Sequence, residues 1–368
     1  MKGGYYTVKK STKIIKMLAI AIAFTLGGSS TVSADGVKSN SASTAYTKYI
    51  AVSGNENRVY ICGTPIGIKL YCSGALVVDL QEIVTPSGVF CPAKEAGIQK
   101  GDIIKKINGK EINGNSDLIS AIDLADGDPV EIFYEHDGED ISKTVTPIKT
   151  SENGTCKIGV WVRDSCAGIG TVTYYDQNDH TFAALGHGIC DADTGRLMSI
   201  NNGIPANISI DDIEKSTGGN IGCLIGHFRN DIQGASIKSN TQGGIYGYMP
   251  DVPKYSRLAE IAETNEMKCG SAQILTTLRG EIPQYYDVQI EAINLQNEAG
   301  KNFVIRVTDQ ALLKETGGIV QGMSGSPIIQ NDKLVGAVTH VFVNYPDKGY
   351  GISVNNMLNI SKELDNAA

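Results

Sequence analysis

Near the end of this 368-residue chain a serine stands in a frame of glycines, Gly322-Met323-Ser324-Gly325-Ser326-Pro327. Pro327-Ile328-Ile329-Gln330, the pair Asn331-Asp332 and then Lys333 through Val341 read as strand, tight turn and strand, rich in β-branched residues. A hairpin after the serine excludes two common architectures. In strand–turn–helix elbows and in Ser-x-x-Lys enzymes the serine opens a helix, which Pro327 and the alternating strand forbid. Glycines lack Cβ atoms, so the chain turns sharply and a substrate carbonyl approaches the backbone, as a nucleophile requires. Ser324 is the candidate nucleophile; taken alone, the motif also fits an ordinary Gly/Ser turn between strands.

As in the Gly-x-Ser turn of chymotrypsin-like proteases, the amides of Gly322 and Ser324 would converge on a developing oxyanion. Composition agrees with a β-rich chain, since 42 glycines accompany short β-branched runs and only 7% of residues are aromatic. The length implies two domains or three. A net charge of −8 leaves no basic stripe, so nucleic acid is not an expected partner. The eight cysteines show no Cys-x-x-Cys spacing. His187-Gly188-Ile189-Cys190 is their one meeting with histidine, without partners at metal spacing, so no metal or cofactor is expected and most are read as buried free thiols.

Residues 1–34 have the form of a signal peptide or N-terminal anchor. Lys9, Lys10, Lys13 and Lys16 precede the apolar run from Met17 to Leu26, and Val32-Ser33-Ala34 resembles a cleavage site. The run is far shorter than the ~20 residues that span a bilayer, which favours cleavage. Residues 35–54 are polar and aperiodic, an exposed linker. From 55 to 150 strands alternate with helices. Cys91-Pro92-Ala93-Lys94-Glu95-Ala96-Gly97-Ile98 and Gly101-Asp102-Ile103-Ile104-Lys105-Lys106-Ile107-Asn108-Gly109 resemble the core signature of protease-associated PDZ domains. Ser116 is expected to cap a helix through Ala125 with Leu118, Ile119, Ile122 and Ala125 on one face. A peptide would add beside the strand starting at Ile68, its carboxylate held by the loop Thr64-Pro65-Ile66-Gly67, with Leu118 and Ile122 opposite. The competing reading is a module used only for packing within the chain.

Residues 151–368 form the second domain, in which 157–164 and 168–175 are read as first barrel strands. An apolar strand, Thr181 to Leu185, then breaks into Gly186-His187-Gly188, a place from which a base reaches a serine on a neighbouring barrel. His187 is therefore preferred over His136, His180, His227 and the closest rival, His340. Asp309 ends the alternating run Phe303 to Thr308 fifteen residues before Ser324, where it could orient the base. It also precedes Gln310-Ala311-Leu312-Leu313 as a helix N-cap would. Asp191, Asp211 and Asp212 stand in reserve.

Together Ala184-Leu185-Gly186-His187-Gly188, Val307-Thr308-Asp309, the run Gly318 to Gln330 and the run Gly336 to Asn344 resemble the stage IV sporulation protein B serine peptidases of endospore-forming Firmicutes. The resemblance covers the signal, PDZ and peptidase regions. It implies a mainly β protein in which a small α+β PDZ module precedes a chymotrypsin-like double β-barrel, with His187, Asp309 and Ser324 as the catalytic triad. It further implies export from the forespore into the space between the two spore membranes, self-cleavage near the N-terminus, and cleavage of a membrane-bound regulator that leads to sigma-factor activation. The alternative is a catalytically silent PDZ adaptor of the cell envelope. A carboxy-terminal processing protease shares the signal and PDZ but needs a helix-borne lysine after its serine.

Overall fold

The computed structural model describes residues 57–150, 154–297 and 300–367; the expected signal segment and linker lie outside the described residues. Two rings of antiparallel strands form the peptidase part. In the C-terminal ring Gly270–Thr276, Gln284–Ile293, Phe303–Val307, Tyr345–Ser353, Lys333–Phe342 and Pro327–Gln330 pair in that order and close on Gly270–Thr276. The hairpin after the serine turns on Asn331 and Asp332, both at positive φ of 52° and 63°, a conformation these residue types tolerate. Phe303, Ile305, Ile328 and Val338, all buried, belong to its hydrophobic core.

In the N-terminal ring Val160–Asp176 pairs with Thr181–Ala184, then come Gly244–Tyr248, Ser236–Thr241, Ile200–Glu214 and Pro65–Leu80, which returns to Val160–Asp176. The double β-barrel of the sequence reading is thus present. One of its staves was unexpected. Pro65–Leu80 is one continuous strand whose first half belongs to the barrel while Ala75 and Leu76 pair with Ile104 and Ile103 of the PDZ domain. Gly74, at φ +138°, marks the crossing; a Cβ there would come within 2.5 Å of the Ile104 carbonyl oxygen, which backbone cannot yield. The boundary expected near residue 150 therefore does not separate two self-contained units.

The PDZ core packs Val77, Ile98, Ile104, Ile107 and Ile132 against Leu118 and Ile122 of the helix Asn115–Leu124. Ile119, expected on the same face, is 61% exposed. Ser116 does not cap the helix. Gly114 holds that place, and the Asn115 amide donates to Asp164 Oδ2 at 3.0 Å, so the cap comes from a strand far along the chain.

Candidate active site

The loop between the helix Gln310–Thr316 and the strand Pro327–Gln330 carries the serine. Gly322 and Gly325 sit at φ +98° and +93°, which only glycine adopts without strain. Gly325 is also wedged into the N-terminal barrel, where a Cβ would lie 2.1 Å from the Thr171 carbonyl oxygen. Three bonds from one strand grip the loop. The Thr171 amide donates to the Ser324 carbonyl at 2.9 Å, Thr171 Oγ1 to the Gly322 carbonyl at 2.9 Å and Thr173 Oγ1 to the Gly325 carbonyl at 2.7 Å. Both threonines are buried.

Across residues 321–326, backbone accounting leaves two donors. The amides of Gln321, Met323, Gly325 and Ser326 donate to the carbonyls of Gly222, Val320, Val338 and Met323. Those of Gly322 and Ser324 find no acceptor among the described residues. A pair of unspent amides flanking the candidate nucleophile is the donor set that an oxyanion needs.

Ser324 Oγ donates to the Thr339 carbonyl at 2.7 Å. The next residue, His340, meets His187 with ring centroids 4.8 Å apart and planes tilted by 36°. His187 leaves the strand Thr181–Ala184 through Leu185 and Gly186, both at positive φ. A Cβ on Gly186 would lie 2.9 Å from Thr339 Cγ2, so the histidine and serine loops converge on Thr339 and His340. His187 Nδ1 donates to the Gly188 carbonyl at 2.9 Å, which fixes the proton on Nδ1 and leaves Nε2 as the basic nitrogen. Desolvation lowers His187 below the ordinary histidine value, partly offset by that carbonyl. Desolvation, then His187, then Lys301, pushes His340 down to about 4, although the residue as a whole is exposed.

Asp309 takes up the helix-capping role that its sequence context also offers. Asp309 Oδ1 accepts the amides of Ala311 and Leu312 at 2.9 Å each, and Oδ2 lies 3.5 Å from the Asp287 amide. It is the N-cap of the helix Gln310–Thr316, and among the described residues no bond joins it to His187. Asp309 thus lies where the strand Phe303–Val307 gives way to the helix Gln310–Thr316. Among the reserves, the Asp191 side chain is fully buried beneath Arg163, and Asp211 pairs with His227 at the surface. His136 bonds Asp102 and His180 bonds the Tyr175 hydroxyl, so neither belongs to the site.

The peptide-binding assignment is corrected. Ile66, Gly67 and Ile68 face Gly170, Ile169 and Gly168 on one side and Asn207, Ala206 and Pro205 on the other. Both edges are occupied, so no peptide adds there, and a Cβ on Gly67 would lie 2.4 Å from the Phe228 ring. Thr64 and Pro65 lead into the same stave. The strand beside Leu118 and Ile122 is instead Val160–Asp164, which pairs on one side with Leu76–Leu80 and with no second strand among the described residues. The Cys156 amide donates to Asp123 Oδ1 and Asn115 to Asp164, which lays this segment along the helix. Ile158-Gly159-Val160 repeats the apolar-Gly-apolar pattern of Ile66-Gly67-Ile68, and strand pairing distinguishes the two.

Comparison with known proteins gives two family matches: the SpoIVB peptidase S55 family over residues 154–358 and the PDZ domain over 50–146. Among curated proteins, a putative zinc metalloprotease of Clostridium perfringens is 29% identical over 126 residues, covering 34% of this chain and 36% of that protein. Serine protease HTRA1 of Xenopus tropicalis is 39% identical over 75 residues, covering 20% and 15%. The chain spans about a third or less of these relatives. The PDZ domain of an SdrC-like protein of Listeria monocytogenes covers 24% of this chain and 87% of its own at 24% identity and a TM-score of 0.21. The active form of the Rv3671c protease of M. tuberculosis covers 54% and 74% at 13% identity and a TM-score of 0.31.

Proposed function

The chain belongs to the SpoIVB peptidase S55 family and is a serine endopeptidase with a PDZ domain; from that premise we propose that it works in sporulation by cleaving itself and a membrane-bound regulator, leading to sigma-factor activation. The observation that carries the chemistry is the pair of unspent amides, Gly322 and Ser324, beside a serine whose loop meets His187 and His340. Ser324 Oγ leaves the Thr339 carbonyl by rotation about χ1 and passes its proton to His187 Nε2 as it attacks the scissile carbonyl. The oxyanion settles on the two amides. His187 then protonates the departing amine, and water repeats the sequence on the acyl-enzyme. The Gly188 carbonyl fixes the tautomer, a task that an aspartate performs in the usual triad.

Export into the space between the forespore and mother-cell membranes is supported by the charged-then-apolar start of the sequence. The strand edge beside the helix Asn115–Leu124, which pairs with no second strand among the described residues, supports recognition of an extended peptide segment of the regulator. To test the reading, purified full-length protein and Ser324→Ala are incubated and their N-terminal fragments mapped by mass spectrometry, with fluorophosphonate labelling in parallel. Wild-type protein should fragment and label, the variant neither; equal fragmentation of both would remove Ser324 from the chemistry.

A further inference from the structure

We infer that Arg196 is a positioning residue for His187, so that the PDZ domain is a working part of the catalytic site. This rests on the reading of Ser324 and His187 as nucleophile and base. Only Gly188 separates His187 from a closed loop, Ile189 to Met198. The Met198 amide donates to the Ile189 carbonyl at 3.0 Å, Asp191 to Arg196 at 2.9 Å and Gly195 to Asp191 at 2.8 Å. Asn240 clamps the base of the loop, its Nδ2 donating to the carbonyls of Ile189 and Met198 while Oδ1 accepts the Ile189 amide. The buried Asp191 carboxylate accepts the amides of Asp193 and Thr194 and pairs with Arg163. At Gly188 a Cβ would lie 2.3 Å from Leu197 Cδ1 and 2.6 Å from the Thr241 carbonyl oxygen. A loop closed so tightly moves as a unit, and His187 is attached to it.

The tip of that unit reaches the PDZ domain. Arg196 donates to the Gly101 carbonyl at 3.2 Å and to Asp137 Oδ1 at 2.5 Å. Gly101, at φ +96°, leaves room for the guanidinium: a Cβ there would lie 2.7 Å from Arg196 Nε. Both landing points are held firmly. The Gly101 amide donates to Val77 and the Val77 amide to Asp102, whose buried carboxylate accepts from Gln99 and His136 beside Asp137. The pair itself is exposed, 42% at Arg196 and 66% at Asp137, so it adds little to folding stability. Its consequence is where the loop sits, and a displacement of about 1 Å in a catalytic group costs up to ~10²-fold in rate.

The test follows the rate of Ser324 labelling by a fluorophosphonate across pH in the full-length protein, with Ser324→Ala as the blank. Arg196→Ala and Asp137→Ala are each expected to lower the plateau rate roughly 10- to 10²-fold. Arg196→Lys should restore part of the loss, and the double variant should be no slower than either single variant. Melting temperatures should stay close to wild type. An unchanged labelling rate, or losses that multiply in the double variant, would overturn the inference. A Lys variant as slow as Ala with a lowered melting temperature would also count against it, as a packing effect. Wild-type protein that fails to label at all would remove instead the reading of Ser324 on which the inference stands.

Discussion

Thr171 ties the N-terminal barrel to the oxyanion loop, and replacing it with valine isolates a single atom. Valine keeps the shape and the amide bond to Ser324 but deletes the Oγ1–H that reaches the buried Gly322 carbonyl at 2.9 Å. Losing the hydrogen bond and leaving that carbonyl unsatisfied costs about 1–3 kcal/mol. A domain of this size then melts roughly 2–12 °C lower. The larger effect is expected in the chemistry, because the released carbonyl lets the Gly322-Met323 peptide rotate and disturbs the alignment of the Gly322 and Ser324 amides. Removing one oxyanion donor outright costs about 10²–10³-fold, which bounds the loss from misaligning it. Stopped-time labelling with a fluorophosphonate, read beside thermal unfolding, separates the two effects. Thr171→Ser is the control, since it keeps the hydroxyl and loses only a methyl group. Valine at wild-type labelling rate, or serine as slow as valine, would refute the reasoning.

Three further outcomes follow. Asp309→Ala should lower stability by about 1 kcal/mol through the lost helix cap while turnover stays within a few-fold of wild type; a ~10⁴-fold loss in Asp309→Asn would restore it as the acid partner of the base. Because His187 lies below its ordinary value of 6.5, the neutral base persists on acidification, and the labelling rate should reach half its plateau below pH 6.5; a midpoint at or above that value would contradict the desolvated site. His136 has the opposite sign: its bond to Asp102, then its charge attraction to Asp102 and Asp137 opposed by Arg196, raises it, so its stabilisation is complete below pH 6.5 and lost as pH rises through the folded value. The pH dependence of unfolding in wild type minus that in His136→Gln should show this loss on the alkaline side, and a loss on the acidic side would be inconsistent with it.

Local chemistry alone determined much of this protein. A serine between glycines followed by Pro327 and alternating β-formers cannot open a helix, and Asn331-Asp332 supplies the positive φ that its hairpin requires. The break of an apolar strand at Gly186 likewise placed His187 at a barrel rim. Tertiary structure decided whatever depended on pairing between distant segments. Asp309 reads equally well as a strand-end acid and a helix cap, and only the folded chain shows its Oδ1 accepting the amides of Ala311 and Leu312. Ile66-Gly67-Ile68 and Ile158-Gly159-Val160 share one apolar-Gly-apolar pattern, yet the first is enclosed by strands on both edges and the second leads into a strand paired on one edge among the described residues. Sequence records the propensity of each segment within a few residues, whereas hydrogen bonds across a barrel are satisfied by whichever strand the closed ring brings alongside. For that reason the PDZ domain and the peptidase, separable on paper, share the strands Pro65–Leu80 and Val160–Asp176 in the folded chain.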